Sequence, residues 1–311
     1  MAKNLKQLVD SPVRLTAGHR LCPGCGEPIA VRQILMATDK PVIASNATGC
    51  LEVSTTIFPY TAWNIPWIHI AFENVAAVAS GVEAMYHSLQ DQGKIDADAD
   101  YKFVAFAGDG GTYDIGFQAL SGAVERGHDF LYVCLNNQAY MNTGVQRSSA
   151  SPMGAMTTTS QVGKKIPGKT VHQKDLTECL VAHEIPYVAQ SIPGRWRDLV
   201  GKAEKAFSLP GSAFINVLTP CPLGWLIDPA LTVEISMLAA DTCIWPMYEV
   251  EYGQYTVNYK PKEKLPVEAY LEPQGRFKHL FKGEEGAAIR KEIQEYTDRK
   301  WERLLKLAGD A

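Results

Sequence analysis

Three kinds of signal are scarce in this sequence. Charge of one sign is the first: 30 Lys and Arg stand against 34 Asp and Glu in 311 residues, a formal net charge of -4. With no basic stripe and no aromatic stacking motif, a nucleic-acid partner is excluded. Long hydrophobic runs are the second; no uninterrupted apolar stretch approaches the roughly 18 residues that span a bilayer, so no membrane role is expected. The third is an apolar segment at the start, where "MAKNLKQLVDSPVRL" does not read as a signal peptide. The chain is therefore expected in the cytoplasm, where thiols stay reduced. Its seven cysteines, an odd number, then read as metal ligands and core residues before disulfides. Histidines 19, 69, 128, 172 and 183 fall in no metal-ligand spacing, and no internal repeat is visible.

What is present is an ordinary globular composition, 46% hydrophobic and 21% charged, with length for one large or two ordinary domains. Apolar, β-branched runs alternate with stretches of helical period, which predicts an α/β fold whose mostly parallel sheet is flanked by helices. Strands are expected at 41–48, 102–110, 129–137, 187–192 and 213–221. Their nearly continuous hydrophobicity suits strands covered on both faces. Helices are expected at 26–38, 73–92, 115–127, 174–184, 196–207 and 229–241. Segment 143–173 has no periodicity, and a loop of that length inside a compact domain is usually functional. After residue 242 the character changes to a hairpin ("MYEVEYGQYTVNYK"), an extended arm and a charged amphipathic helix at 283–307. This predicts a ligand-binding domain over 1–242 and a C-terminal hairpin, arm and helix over 243–311 that embraces the first or contacts another subunit.

The richest span is "AGDGGTYDIGFQALSGAVERGHDFLYVCLNNQAYMNTG". One strand ends in Gly108-Asp109-Gly110 and the next in Asn136-Asn137, and in a parallel sheet such ends face one crevice. Asp109 offers a carboxylate oxygen and Asn137 an amide oxygen, the donors that suit Mg²⁺. Gly108, Gly110 and Gly111 let the backbone approach a diphosphate, and the start of helix 115–127 adds the positive end of a dipole. Asp-Gly-Gly alone is as readily a plain turn after a strand. The paired asparagines downstream tip the balance, and the combination resembles the thiamine diphosphate signature. That resemblance implies a main-chain carbonyl from Ala139 as a third protein ligand to Mg²⁺, with a backbone N–H from Gly111 and a hydroxyl from Thr112 toward the diphosphate.

Near the start, "LCPGCGEP" holds a Cys-x-x-Cys pair that alone is equally a redox dithiol, half a zinc site or half an iron–sulfur site. With "ATGCLEVSTTIFPYTAWNIPWIH", "AFENVAAVASGVEA", "AYMNTGVQRSS" and "PCPLGW", the stretch "HRLCPGCGEPIAVRQIL" resembles the β subunit of the 2-oxoacid:ferredoxin oxidoreductases, from about residue 14 to "PQGRFKHLF". The resemblance implies a thiamine diphosphate-binding fold and one 4Fe-4S cluster held by Cys22, Cys25, Cys50 and Cys221. By spacing alone, those four thiols suit zinc as well as an iron–sulfur cluster. A thiamine intermediate needs an electron acceptor, and zinc has no redox chemistry. Also implied are oxidative decarboxylation of a short 2-oxoacid, Asn142 polarising the substrate, and Thr48 and Gly49 lying against the cofactor. Partner subunits of α, γ and δ type, ferredoxin and coenzyme A complete the implied system.

Within this family pyruvate is the expected substrate, and oxalate, oxidised without coenzyme A, stands second. Ile70, "CPGCGEP" and "CPLGWLIDP" depart from the usual family residues and keep that second choice open. A non-redox thiamine enzyme subunit with structural zinc, or a purely structural zinc protein, is the alternative class. Several residues carry a plainer expectation. Glu52 and Glu73 are as readily ion-paired as acid–base groups. Arg147 and Lys164 read as solvated charge, His69 as a satisfied buried histidine, and Cys134, Cys179 and Cys243 as small core residues.

Overall fold

In the segment Lys102–Gly108, Phe103, Ala105 and Ala107 pack into one hydrophobic cluster and Val104 and Phe106 into another. This is the two-residue period of a strand covered on both faces. Leu131, Val133 and Leu135 repeat the pattern against Tyr132 and Cys134 in the next strand. The computed structural model, which describes residues 3–164 and 166–310, builds these segments into one eight-stranded sheet. Its strands are β1 (Val42–Ala47), β2 (Trp67–Ile70), β3 (Lys102–Gly108), β4 (Leu131–Asn136), β5 (Tyr187–Ser191), β6 (Ala213–Leu218), β7 (Tyr248–Glu251) and β8 (Gln254–Val257). Their spatial order is β2-β1-β3-β4-β6-β5-β7-β8. The first six are parallel, while β7 runs antiparallel to β5 and β8 antiparallel to β7.

The helices are α1 (Leu5–Val9), α2 (Gly26–Leu35), α3 (Cys50–Thr55), α4 (Val75–Asp91), α5 (Phe117–Glu125), α6 (Leu176–Val181), α7 (Trp196–Ser208), α8 (Pro222–Trp225), α9 (Thr232–Asp241), α10 (Glu268–Leu271) and α11 (Gly283–Leu307). Helices α2 and α7 cover one face of the sheet. In α7 the buried Leu199, Val200, Ala203, Ala206 and Phe207 recur at helical spacing, and each fully buried side chain of Leu or Phe size contributes about 1.5–3 kcal/mol. Helices α4, α5, α6 and α11 cover the other face. A third cluster gathers Trp225, Ile235, Trp245, Tyr270, Phe277 and Ile293, binding α9, the arm and α11 together.

Two differences from the expected elements have physical causes. Strand β2 was not anticipated, because it is four residues at the sheet edge with a half-exposed pattern and no continuous apolar run. The turn after β3 also departs from expectation: Gly110–Ile115 forms a turn of π-helix before α5, with Gly116 N–H donating to the Gly111 carbonyl five residues back at 2.8 Å. A Cβ on Gly116 would collide with that carbonyl, so this wide turn requires glycine there. The hairpin β7–β8 extends the sheet across residue 242, and α11 lies on the same sheet face as α4 to α6.

Candidate active site

Between β1 and β3 the chain changes its direction of travel through the sheet, since β2 lies outside β1 on one side and β4 follows β3 on the other. Such a switch point opens a crevice at the carboxyl ends of the strands. A cavity of ≈ 250 Å³ lies there, lined by Asn46 to Leu51 from the end of β1 onward, Ala107 and Gly108 at the end of β3, and Leu135, Asn137 and Ala139 to Thr143 from the end of β4 onward. Glu27 from the start of α2 and Phe72 complete its wall.

Asn137, on this wall, meets Asp109 behind it. Both are buried, and Asn137 N–H donates to Asp109 Oδ1 at 3.2 Å, tying the two strand ends together. The Ser148 hydroxyl donates to the other carboxylate oxygen. Burial pushes the Asp109 carboxyl up to about 7, with Ser148 and the main-chain N–H groups pulling part of the way back. Asn137 Oδ1 is buried with no hydrogen-bond partner in the protein, while its Nδ2 donates to Glu27 Oε1 at 2.9 Å. An amide held in this orientation presents a free carbonyl oxygen, and leaving it unmatched costs about 1–3 kcal/mol. With the Asp109 carboxylate and the main-chain carbonyl of the buried Ala139, the donor set is all oxygen and fits a hard divalent cation.

The glycines around this turn differ in their reasons. A Cβ on Gly110 would meet the Tyr140 ring at 2.5 Å, and one on Gly111 the Phe72 carbonyl at 3.1 Å; Gly108 has open space. The expected role of the Thr112 hydroxyl is corrected. Thr112 is fully buried, its hydroxyl donates to the Gly108 carbonyl at 2.7 Å and meets the Tyr132 hydroxyl at 3.2 Å, so only its backbone could serve a diphosphate. The helical N-terminus beside the cavity is likewise that of the π-turn at Gly110, not one at 115. Thr48 and Gly49 line the cavity, with the Thr48 hydroxyl donating to the Ile70 carbonyl at 3.0 Å.

The four singled-out cysteines come together at the same end of the sheet. Cys22 and Cys25 sit in the loop before α2, Cys50 opens α3 and lines the cavity, and Cys221 caps α8, where its sulfur accepts the Gly224 N–H at 3.4 Å. The loop closes through Cys25 N–H donating to the Cys22 carbonyl at 3.0 Å, and Gly26 N–H to the Pro220 carbonyl at 3.2 Å brings it against Cys221. Burial raises the Cys25, Cys50 and Cys221 thiols, with Glu27 adding to the rise in all three; Cys25 feels Cys50 and Cys221, and Cys50 feels Cys22 and Cys221. Such a group of thiols is deprotonated together only when a positive centre compensates them, which is the chemistry of a cysteine-held metal group. Among the described residues no three His, Cys, Asp or Glu side chains close around a single ion. Asn142, at the exposed mouth of the cavity, approaches Cys50 and partly offsets the rise of its thiol.

Four contributing residues were not singled out from the sequence. Glu27, 3% exposed, stands between the cysteines and the oxygen donors; burial pushes its carboxyl up to about 7, with Asn137 opposing and Asp109 reinforcing. Its place directly after "CPGCG" was the available signal. Ser148 and Ser151, from the long loop, lock Asp109 and the Gln138 carbonyl, the latter at 2.6 Å. Arg276, from the arm, reaches Gln138 Oε1 at 2.5 Å. Most of the plainer readings fit what is seen elsewhere, but His69, expected buried, is exposed on the short edge strand β2. Glu52 pairs with His69 Nδ1 at 2.6 Å, Cys134 and Cys243 are buried with Cys179 half-buried, and Arg147 and Lys164 are exposed.

Known proteins resemble this chain over most of its length. Residues 47–217 match the family model described as thiamine pyrophosphate enzyme, C-terminal TPP binding domain. The chain is 51% identical over 315 residues to a protein of Thermotoga maritima named pyruvate synthase subunit PorB, covering 99% of this chain and 97% of that one. It is 51% identical over 263 residues to the protein of the same name from Methanocaldococcus jannaschii, covering 85% and 88%. Among solved structures, a 2-oxoglutarate:ferredoxin oxidoreductase from Magnetococcus marinus superimposes with a TM-score of 0.54 over 72% of this chain and 79% of that one, at 19% identity. At that identity the likeness shows the fold alone.

Proposed function

The chain belongs to the pyruvate synthase PorB family of thiamine enzymes, as an oxidoreductase subunit, and we propose from this that it carries the diphosphate side of a thiamine diphosphate site beside one 4Fe-4S cluster. The reaction is the oxidative decarboxylation of pyruvate, with coenzyme A as acyl acceptor and ferredoxin receiving the electrons. Partner subunits, of α, γ and δ type, supply the rest of the site and the onward electron path, and the complex works in the cytoplasm. Among the described residues no helix is long and apolar enough to cross a membrane.

One observation carries this reading: Cys50 and Asn137 stand on the wall of the same cavity. A structural zinc protein has no need to place a thiol ligand beside an unmatched amide oxygen. In the loaded protein thiamine diphosphate supplies the carbon nucleophile and electron sink for loss of CO₂, and the cluster supplies one-electron chemistry. The residues of this chain do the positioning. Asp109, the Asn137 amide oxygen and the Ala139 carbonyl hold Mg²⁺; Gly108, Gly110 and Gly111 admit the diphosphate to the backbone, with Thr112 contributing its N–H. Thr48 and Gly49 bound the cavity on the β1 side, and Asn142 at its mouth donates to the substrate's carbonyl oxygen. Cys22, Cys25, Cys50 and Cys221 hold the cluster. Glu27 keeps the Asn137 amide turned with its oxygen outward. Pyruvate is preferred over oxalate because a relative 51% identical over nearly its whole length bears pyruvate in its name.

The test is viologen reduction by the complete, anaerobically purified complex with pyruvate, a branched 2-oxoacid and oxalate, each with and without coenzyme A. Reduction by pyruvate that depends on coenzyme A, together with iron in the chain that is lost in Cys221→Ser and kept in Cys134→Ser, is the expected result. A colourless chain with zinc and no iron refutes the oxidoreductase role. Reduction by oxalate without coenzyme A, and none by pyruvate, refutes the substrate.

A further inference from the structure

Arg276 is buried at 2% exposure, and among the described residues no carboxylate pairs with it. Its neighbours are neutral. Nε donates to Gln274 Oε1 at 2.9 Å, Nη2 donates to Gln138 Oε1 at 2.5 Å and to the Tyr270 hydroxyl at 3.5 Å, and the guanidinium lies 4.0 Å from the centre of the Trp225 ring. A buried cation without a counter-charge is expensive, and proteins keep one only where something compensates it.

The two places that this charge faces are both parts of the site. Trp225 belongs to α8, whose N-cap is Cys221, and its indole N–H donates to the Asn137 carbonyl at 2.8 Å. Gln138 follows Asn137 with a left-handed φ of 67°, a conformation unusual for a residue with a side chain, and it is held there by Arg276, Tyr270 and Ser151. Gly275 lets the arm reach this position, since a Cβ there would meet Leu226 Cβ at 2.7 Å. The chemistry of the arginine agrees with this placement: burial draws its pKa down to about 10, with Tyr270, Cys221 and Asp109 opposing, so it stays charged at neutral pH.

We propose that Arg276 is a positioning residue whose uncompensated positive charge, set behind Cys221 and the Asn137–Gln138 turn, favours the reduced state of the four-cysteine cluster. This rests on the reading of Cys22, Cys25, Cys50 and Cys221 as cluster ligands. A four-thiolate cluster gains one negative charge on accepting an electron, and a fixed cation nearby stabilises the more negative state and raises its potential. The electron comes from the 2-oxoacid, so the arm helps to set the driving force for its first departure.

The measurement is an EPR-monitored redox titration of the intact complex, following the signal that Cys221→Ser abolishes, with iron content determined in parallel. Arg276→Gln removes the charge and keeps a hydrogen-bond donor. Gln138→Glu leaves the arginine in place and neutralises it with an adjacent carboxylate, so the question survives even if the first variant does not fold. Both are expected to shift the midpoint downward by about 59 mV, a tenfold loss of preference for the reduced form. Arg276→Lys is expected to stay near the wild-type value. An unmoved midpoint in Gln138→Glu and in any folded Arg276→Gln with full iron overturns the inference while leaving the cluster reading intact. A shift in Arg276→Lys as large as in Arg276→Gln overturns it too, because packing alone would then suffice. A wild-type chain without iron overturns both.

Discussion

Substituting Gly24 by alanine separates two effects that usually arrive together. Gly24 lies in the cysteine loop with φ at 73°, and a Cβ there would sit 2.8 Å from Pro229 Cα and closer still to the Pro229 carbonyl. Gly127, at the end of α5, has the same φ of 73° and open space around its Cβ direction. The left-handed conformation costs an alanine about 1–2 kcal/mol in either place. At Gly24 the collision is with main chain, which cannot rotate away, and forced shifts of this kind add about 1–3 kcal/mol. Gly24→Ala is therefore expected to destabilise by about 2–5 kcal/mol in sum, and Gly127→Ala by only the first part. The functional consequence is local. The shifted loop carries Cys22 and Cys25 away from Cys221, so Gly24→Ala loses iron while Gly127→Ala keeps it. Thermal unfolding and iron content of the two variants within the complex decide the matter. Equal destabilisation with full iron in both would refute the close approach of the loop to Pro229 as the reason for glycine.

Glu27→Met removes the acceptor that turns the Asn137 amide, leaving a buried N–H donor unmatched; a loss of about 1–3 kcal/mol corresponds to roughly 5- to 150-fold weaker Mg²⁺-dependent thiamine diphosphate binding, read by calorimetric titration. Glu27→Gln keeps an acceptor oxygen and is expected to bind within about threefold of wild type, so equal losses in the two variants would count against the orienting role. The pH dependence follows from the two buried carboxyls, Asp109 and Glu27, each raised to about 7 from the ordinary carboxylate range. The folded chain holds these protons more tightly than the unfolded one, so the stability they lend is complete at acid pH and is lost as pH rises toward about 7. A divalent cation relieves the buried negative charge, and the gain in melting temperature on adding Mg²⁺ and thiamine diphosphate is expected to widen from about pH 5 to about pH 8. A gain independent of pH would show that neither carboxyl is linked to cofactor binding.

The parts of this molecule that are legible in its sequence are those whose signal is local. Strands β1, β3, β4, β5 and β6 announce themselves as short continuous apolar runs because helices cover both their faces, whereas β2, exposed at the edge and carrying His69, has no such run. Asp109, Asn137 and the cysteines were accessible because each sits at the end of a strand or in a Gly-rich turn. The interactions that complete the site join distant segments: Asn137 to Glu27 across 110 positions, Gln138 to Arg276 across 138. No local pattern encodes those pairings. The fate of the Thr112 hydroxyl was hidden for the same reason, since Tyr132 lies in the next strand and full burial obliges the hydroxyl to stay within the fold. The π-turn required knowing that Gly116 would be threaded against the Gly111 carbonyl.

The position of Arg276 in the chain also bears on synthesis. Every oxygen and sulfur ligand of the proposed site, from Cys22 to Cys221, leaves the ribosome before it, and the Gln138 turn stays without its clasp until the arm has followed. A nascent chain can thus build the sheet and gather its ligands while the site is still slack. Loading of the proposed cofactors is thereby expected to wait for a chain that has finished translation.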